Sequence, residues 1–356
     1  MYNTTLNLIR GALPNIKKRK IVIWGAGKGA QEIINMLASE GLGDRFAFIV
    51  DSKVQSPSVK NIDVLNCKGK YYVVVSISGY HPEIEDQLMR WGYEPELDYC
   101  YYYKRYVEGI SDYSDKLGNR VDGNPGKAEI CFVGRDARVK IGTGFSCSNL
   151  KILMETGASL EIGENVRIFN ETSNDCARWK LKEGSVMILR NNVSLQSKGL
   201  IYCASHGGVY IDDGTTILSN HRIVASSKGR VAIGKDCLIS HDFAAYSNDM
   251  HPIFSVESGM RLNNNCRKSN IDIGDHVWVG FRTTFLKNAC VGLGSIIGSN
   301  SMVSKSYPNN CIAAGIPAKV IRENAAWSKE DIDSIEMIDR EYVGYTEIPT
   351  DFPIAE

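Results

Sequence analysis

The stretch "IDIGDHVWVGFRTTFLKNACVGLGSIIGSNSMV", residues 271–303, decides the fold. Every sixth residue from Ile273 is bulky and apolar: Ile273, Val279, Phe285, Val291, Ile297 and Val303. The residue two before each is mostly small or β-branched: Ile271, Val277, Thr283, Ala289, Ser295 and Ser301. A helix repeats its face about every 3.6 residues and a strand about every 2, so a strict six is neither. It is the mark of a parallel β-solenoid, with one face per hexad and three faces per coil.

Shorter versions of the pattern lie upstream. "LEIGENVRI" supplies Leu160/Ile162 and Val166/Ile168, "VYIDDGTTI" supplies Val209/Ile211 and Thr215/Ile217, and "VAIGKDCLI" supplies Val231/Ile233 and Cys237/Ile239. The starts Ile162, Ile211, Ile233 and Ile273 are 49, 22 and 40 residues apart. A bare coil of three hexads takes about 18 residues, so loops interrupt the coils, and such insertions gather on one face that often carries the function. The 40-residue gap holds "NDMHPIFSVESGMRLN" (248–263), with His251 before a proline.

The first third has a different grammar. "KIVIW" (20–24) reads as a buried strand, "GAGKGA" (25–30) as a glycine loop, and "QEIINMLASEG" as a helix stopping near Gly41. "FAFIVD" (46–51) and "YYVVVSI" (71–77) follow as strands, with a helix over "PEIEDQLMRWG". This is βαβ order, predicting a small parallel sheet. Gly25, Gly27 and Ala30 fit the G-x-G-x-x-[GA] form, and Asp51 ends the next strand. A nucleotide-binding loop reads this way, and so does a domain that keeps the fold without the ligand. Residues 105–128, polar and rich in Gly, Asp and Asn, read as a linker.

Lys+Arg and Asp+Glu both number 41, which gives no support for a nucleic-acid partner. No window is apolar over the roughly 18–20 residues of a membrane span. The N-terminus lacks the order of a signal peptide. The ten cysteines are scattered without a C-x-x-C pair, which predicts reduced, mostly buried thiols in a cytoplasmic protein.

The segments "IGDHVWVG" (273–280), "VGLGSIIGSNSMVSKSYPNN" (291–310) and "CIAAGIPAKVIRE" (311–323), with "IGKDCLIS" and "YSNDMHPI" before them, resemble the hexapeptide-repeat acyltransferases. The likeness is closest to the sugar and polysaccharide O-acetyltransferase and xenobiotic acyltransferase branch. It covers about 231–323 strongly and extends weakly back to about 139. Together with the readings above, it gives a mainly β chain: a Rossmann-like α/β domain and linker over 1–125 and a left-handed parallel β-helix over 126–323, while "AAWSKEDIDSIEMIDREYVGY" reads as a helical extension within 324–356. The helix in that extension is expected to begin at "SKED", as a capping box. The resemblance also implies a homotrimer with active sites between subunits, and acetyl-CoA as donor. The acceptor is expected to be a hydroxyl of a bacterial surface glycan or its precursor. An amine of a nucleotide-linked sugar, and a non-catalytic trimeric scaffold, are the alternatives.

Acyl transfer from a thioester needs a base near neutral pKa and a donor for the oxyanion. By position His251 matches the family's catalytic histidine, with Asp249 as the carboxylate to orient its ring. His241, in "SHDF", is a rival base or an acceptor-site residue. Trp278 is expected in the acceptor or pantetheine channel. Gly280, Ser299, Ser304 and Lys305 match the positions where the family's last coils meet coenzyme A, and Lys305, Lys319 and Arg322 are the cations expected to meet its phosphates. A metal held by His241, Asp242, Asp249 and His251 is not expected, because the reaction needs none. His206, His221 and His276 receive no role.

Overall fold

The computed structural model describes residues 19–39, 41–53, 56–67, 69–77, 82–94, 98–101, 105–115, 117–169, 175–263 and 269–343. The chain divides into two units, Met1–Tyr106 and Val107–Glu356.

The first unit has five parallel strands: β1 (Lys20–Trp24), β2 (Phe46–Val50), β3 (Val59–Lys60), β4 (Tyr71–Val75) and β5 (Tyr99–Tyr101). Their order is β3-β2-β1-β4-β5. Helix α1 (Lys28–Ser39) buries Ile33, Met36 and Leu37 with Ile21, Ile23, Tyr72 and Val74. Helix α2 (Pro82–Arg90) packs Ile84 and Leu88 with Val22, Trp24 and Val73 on the other face. Both helices end in paired C-terminal bonds, Leu42 N to Leu37 O with Gly41 N to Ala38 O, and Tyr93 N to Leu88 O with Gly92 N to Met89 O. The glycines sit at φ +70° and +81°, where an L side chain is strained. The strand order reverses between β1 and β4, so the glycine loop after β1 lies at the switch point.

The second unit is a parallel β-helix. Its coils contribute to three sheets of ten, nine and nine strands, parallel apart from the terminal hairpins. The hexad positions line the interior: all twelve residues of the 271–303 pattern are at most 2% exposed. The 49-residue gap is explained by a coil in between, in which Leu189 pairs in register with both Ile162 and Ile211. Met187, Leu189, Val193 and Leu195 of that coil are buried like the hexads read from the sequence. Chain reversals at the corners use left-handed residues, among them Asn165, Asn192, Asp236, Asp242, His276, Arg282 and Asn300. Asn and Asp tolerate that conformation best.

Two expectations are corrected. Residues 105–128 are not a linker. Arg105–Glu108, Tyr113–Ser114 and Arg120–Asp122 are strands of the first coils, and the polar residues between them turn corners; the boundary therefore falls after Tyr106 rather than at 125. The extension after 323 forms no α-helix among the described residues. It is an extended strap with short 3₁₀ turns at Ile335–Met337 and Arg340–Tyr342. Ser328 does accept from Glu330 N (3.1 Å), but as a local turn.

Phe243 and Phe285 meet edge to face inside the coils, 5.5 Å between ring centres, and both are fully buried. Phe285→Ala is expected to cost about 3–5 kcal/mol through transfer and cavity terms. The denaturation midpoint reads it, and a shift worth less than about 1 kcal/mol contradicts a packed interior.

Candidate active site

The chain leaves the wall after strand Ala244–Tyr246 and returns at Asn270–Ile273. The described part of this excursion is a small hairpin, with Phe254 bridged antiparallel to Arg261 and Ser255 N bonded to Met260 O (2.8 Å). Its base is locked by Asn263, which is 7% exposed. The Asn263 amide nitrogen donates to His251 O (2.7 Å) and Asp249 Oδ2 (3.0 Å), while its oxygen accepts from Ile253 N (2.6 Å). Asp249 also takes an ion pair from Lys287, on the next coil. Met250 sits at φ +61°, a turn that leaves the His251 side chain exposed.

The expected contact between Asp249 and the His251 ring is not the one formed. The carboxylate goes to Lys287 and Asn263, so it fixes the backbone on either side of His251. The hydrogen bond from Lys287, then that from Asn263, holds the Asp249 carboxyl below the usual carboxylate range. Its bonds to the loop are therefore at full strength at neutral pH and are lost as pH falls through that lowered pKa.

His241 stands at the corner before the same strand, and its Nδ1 is 2.8 Å from Ser219 Oγ. Ser219 N in turn donates to Gln196 Oε1 (2.9 Å), making a polar ladder across three coils. Asp242 is engaged by Asn220 (2.8 Å) and Arg282 (3.3 Å). His241 and Asp242 thus belong to one corner and Asp249 and His251 to the next, with strand Ala244–Tyr246 between them.

Trp278, 42% exposed, stands on an outward ladder with Leu238, Ile296 and Ile312. Gly280 is buried, and a Cβ there meets Ser299 N at 2.7 Å, so the next coil alone requires glycine. Ser299 is exposed at one corner. Ser304 and Lys305 are exposed at the next, where the Lys305 ammonium lies 5.8 Å from the Tyr307 ring centre. Lys319 and Arg322 lie exposed on the antiparallel strand Ala318–Arg322 that closes one sheet.

The sequence offered no signal for His276. It is a corner residue at φ +51°, sandwiched between Trp327 (4.2 Å) and Tyr342 (4.4 Å). Its Nε2 meets Trp327 O (3.0 Å), its Nδ1 meets Asp236 (2.8 Å), and Trp327 Nε1 donates to its carbonyl (2.7 Å). It clamps the strap to the coils. His221 is a core residue, and burial pushes it down to about 4, so it stays neutral.

In the first unit, Gly25 is at φ +111°, and a Cβ there meets Ile77 at 2.6 Å. Ala30 is buried against the sheet. Gly27 has open space around it. Ala26 N, an amide of the loop that a phosphate would use, donates to Asp51 Oδ2 (2.9 Å).

No family model matches the chain. It is 33% identical over 177 residues to a polysialic acid O-acetyltransferase of Neisseria meningitidis, covering 48% of this chain and 78% of that protein. It is 34% identical to a polysialic acid O-acetyltransferase of Escherichia coli O1:K1, covering 38% of this chain and 42% of that one. A crystal structure of a polysialic acid O-acetyltransferase superposes with a TM-score of 0.48 at 27% identity, covering 57% of this chain and 97% of that one. The chain belongs to the hexapeptide-repeat acyltransferases, the left-handed parallel β-helix enzymes, and is itself an acyltransferase.

Two outcomes follow. Amide-exchange protection across 250–263 should stay constant between about pH 5 and 8 and fall as Asp249 protonates below its unfolded pKa of about 3.9. Lys287→Met should move that loss upward in pH; an unchanged profile removes Asp249 as the latch. His276→Ala should free the strap, read as faster proteolysis within 324–343 and a changed Trp327 emission, with the coils still folded.

Proposed function

We propose that this enzyme transfers acetyl from acetyl-CoA to a hydroxyl of a bacterial surface glycan, with His251 as general base. One observation carries the reading. His251 is presented, ring exposed, by a loop whose base is fixed on both sides, through Asn263 and through the Asp249–Lys287 pair. The similarity to polysialic acid O-acetyltransferases, and to an O-acetyltransferase of lipopolysaccharide biosynthesis in Escherichia coli K12, supports the acceptor class.

The His251 imidazole accepts the hydroxyl proton as the acceptor oxygen attacks the thioester carbonyl. The tetrahedral intermediate collapses, the C–S bond breaks, and the proton returns to the departing thiolate. No acyl-enzyme is needed. Burial pushes the thiols of Cys203 and Cys237 up to about 12 and that of Cys290 to about 11, which leaves little thiolate to act as a nucleophile. Trp278 lines the channel between neighbouring subunits of a homotrimer. Ser299, Ser304, Lys305, Lys319 and Arg322 hold the cofactor arm and its phosphates.

His251→Ala should lower kcat about 10²–10⁴-fold, with acetyl-CoA affinity by calorimetry unchanged. Transfer to a glycan hydroxyl at a near wild-type rate in that variant overturns the assignment.

A further inference from the structure

Several outer cations of the β-helix stack on a carboxylate of an adjacent coil. Lys151 pairs with Glu129 (3.1 Å), Arg230 with Asp272 (2.8 Å) and Lys140 with Glu161 (3.6 Å), and Lys182 with Glu155. One group of cations instead gathers around a cleft. Arg178, Lys180, Lys198 and Arg222 line a cleft of about 480 Å³, within the size range of small-ligand sites. Asp175 accepts Lys198 (3.2 Å). Arg178, Lys180 and Arg222 have no ion-pair or hydrogen-bond partner among the described residues, and all three are exposed.

Strand register fixes their spacing. Arg178 and Lys180 point outward from the same strand, two residues apart. Arg178 pairs with Leu200 and Leu200 with Arg222, so the two guanidinium-bearing positions are two strands apart, about 9–10 Å. Like charges so placed repel each other unless an anion lies between them. The same outer face then turns aromatic. Lys180, Tyr202, Val224 and Tyr246 form one row across four successive strands, and Tyr246 is five residues before His251. Half-exposed tyrosines beside cations suit sugar rings that carry carboxylates, the ring faces lying on the aromatics and the carboxylates on the cations.

We propose that this face is the binding track for an acidic glycan chain, several sugars long, whose carboxylates occupy the Arg178–Lys180–Arg222 cleft. The track spans three strand steps, about 14–15 Å, which exceeds one sugar. The acceptor is therefore a carboxylate-bearing oligomer or polymer and not a neutral sugar or a single activated precursor. This rests on the glycan reading of the His251 site.

The test is calorimetric titration of a short sialic acid oligomer into the full chain, with a neutral malto-oligosaccharide alongside. The acidic oligomer should bind, the neutral one should not, and the affinity should fall as salt rises. Arg178→Glu/Arg222→Glu should weaken acidic-oligomer binding at least tenfold, and the milder Lys180→Gln at least twofold. Acetyl-CoA affinity and the thermal midpoint serve as folding controls. Equal binding of the two glycans, no binding by the wild-type chain, or unchanged affinity in both variants overturns the proposal. The titration involves no turnover, so it reads the track even where acetyl transfer fails. Conversely, transfer to a neutral glycan that survives both variants overturns the track and leaves the role of His251 standing.

Discussion

Everything in the second unit depends on coil stacking in strict register. Each backbone amide on a coil face bonds to the coil beside it, and the hexad side chains then fall on one another inside. That constraint makes the wall almost featureless. It allows alternate residues to point outward at fixed spacing and turns its corners on left-handed residues. Chemistry that needs a freely aimed side chain has to leave the wall. The loop holding His251 does so and is tied back by Asn263 and by Lys287 reaching up from the next coil.

The same register makes ladders of whatever stands outside. A single residue means little; its column means more. Trp278 belongs to an apolar column, His241 to a polar one, and Arg178 and Arg222 to a column whose two charges have no ion-pair partner among the described residues. The separation of His241 from His251 follows as well, because consecutive corners of a coil cannot converge within one chain.

The hexad rhythm was legible because side-chain burial in a β-helix is local in sequence, so Ile273 to Val303 could be counted off directly. The coil through Leu189 was hidden by the residues inserted before it, which broke the count. Residues 105–128 misled because the corners of a first coil have the same composition as a linker. The loop that carries His251 was legible as an interruption of the rhythm. The partners of that loop were not: Lys287 is known as one only once Tyr246 is registered with Leu286, and Asn263 only once the loop closes. His276 could not be read at all, since a histidine at a corner gains meaning from a strap that returns 51 residues later.

The antiparallel strand Ala318–Arg322 has a consequence for how copies of the chain can meet. A parallel β-helix that ends on an open coil presents a template on which another coil can stack, and chains could then join end to end without limit. Here the last coil of that sheet is covered by a strand running the wrong way for a further parallel coil, with Lys319 and Arg322 along its margin. Reversed direction and edge charge are both means by which sheets avoid open-ended growth. One of the three sheet edges at that end is thereby blunted against the stacking of a further parallel coil.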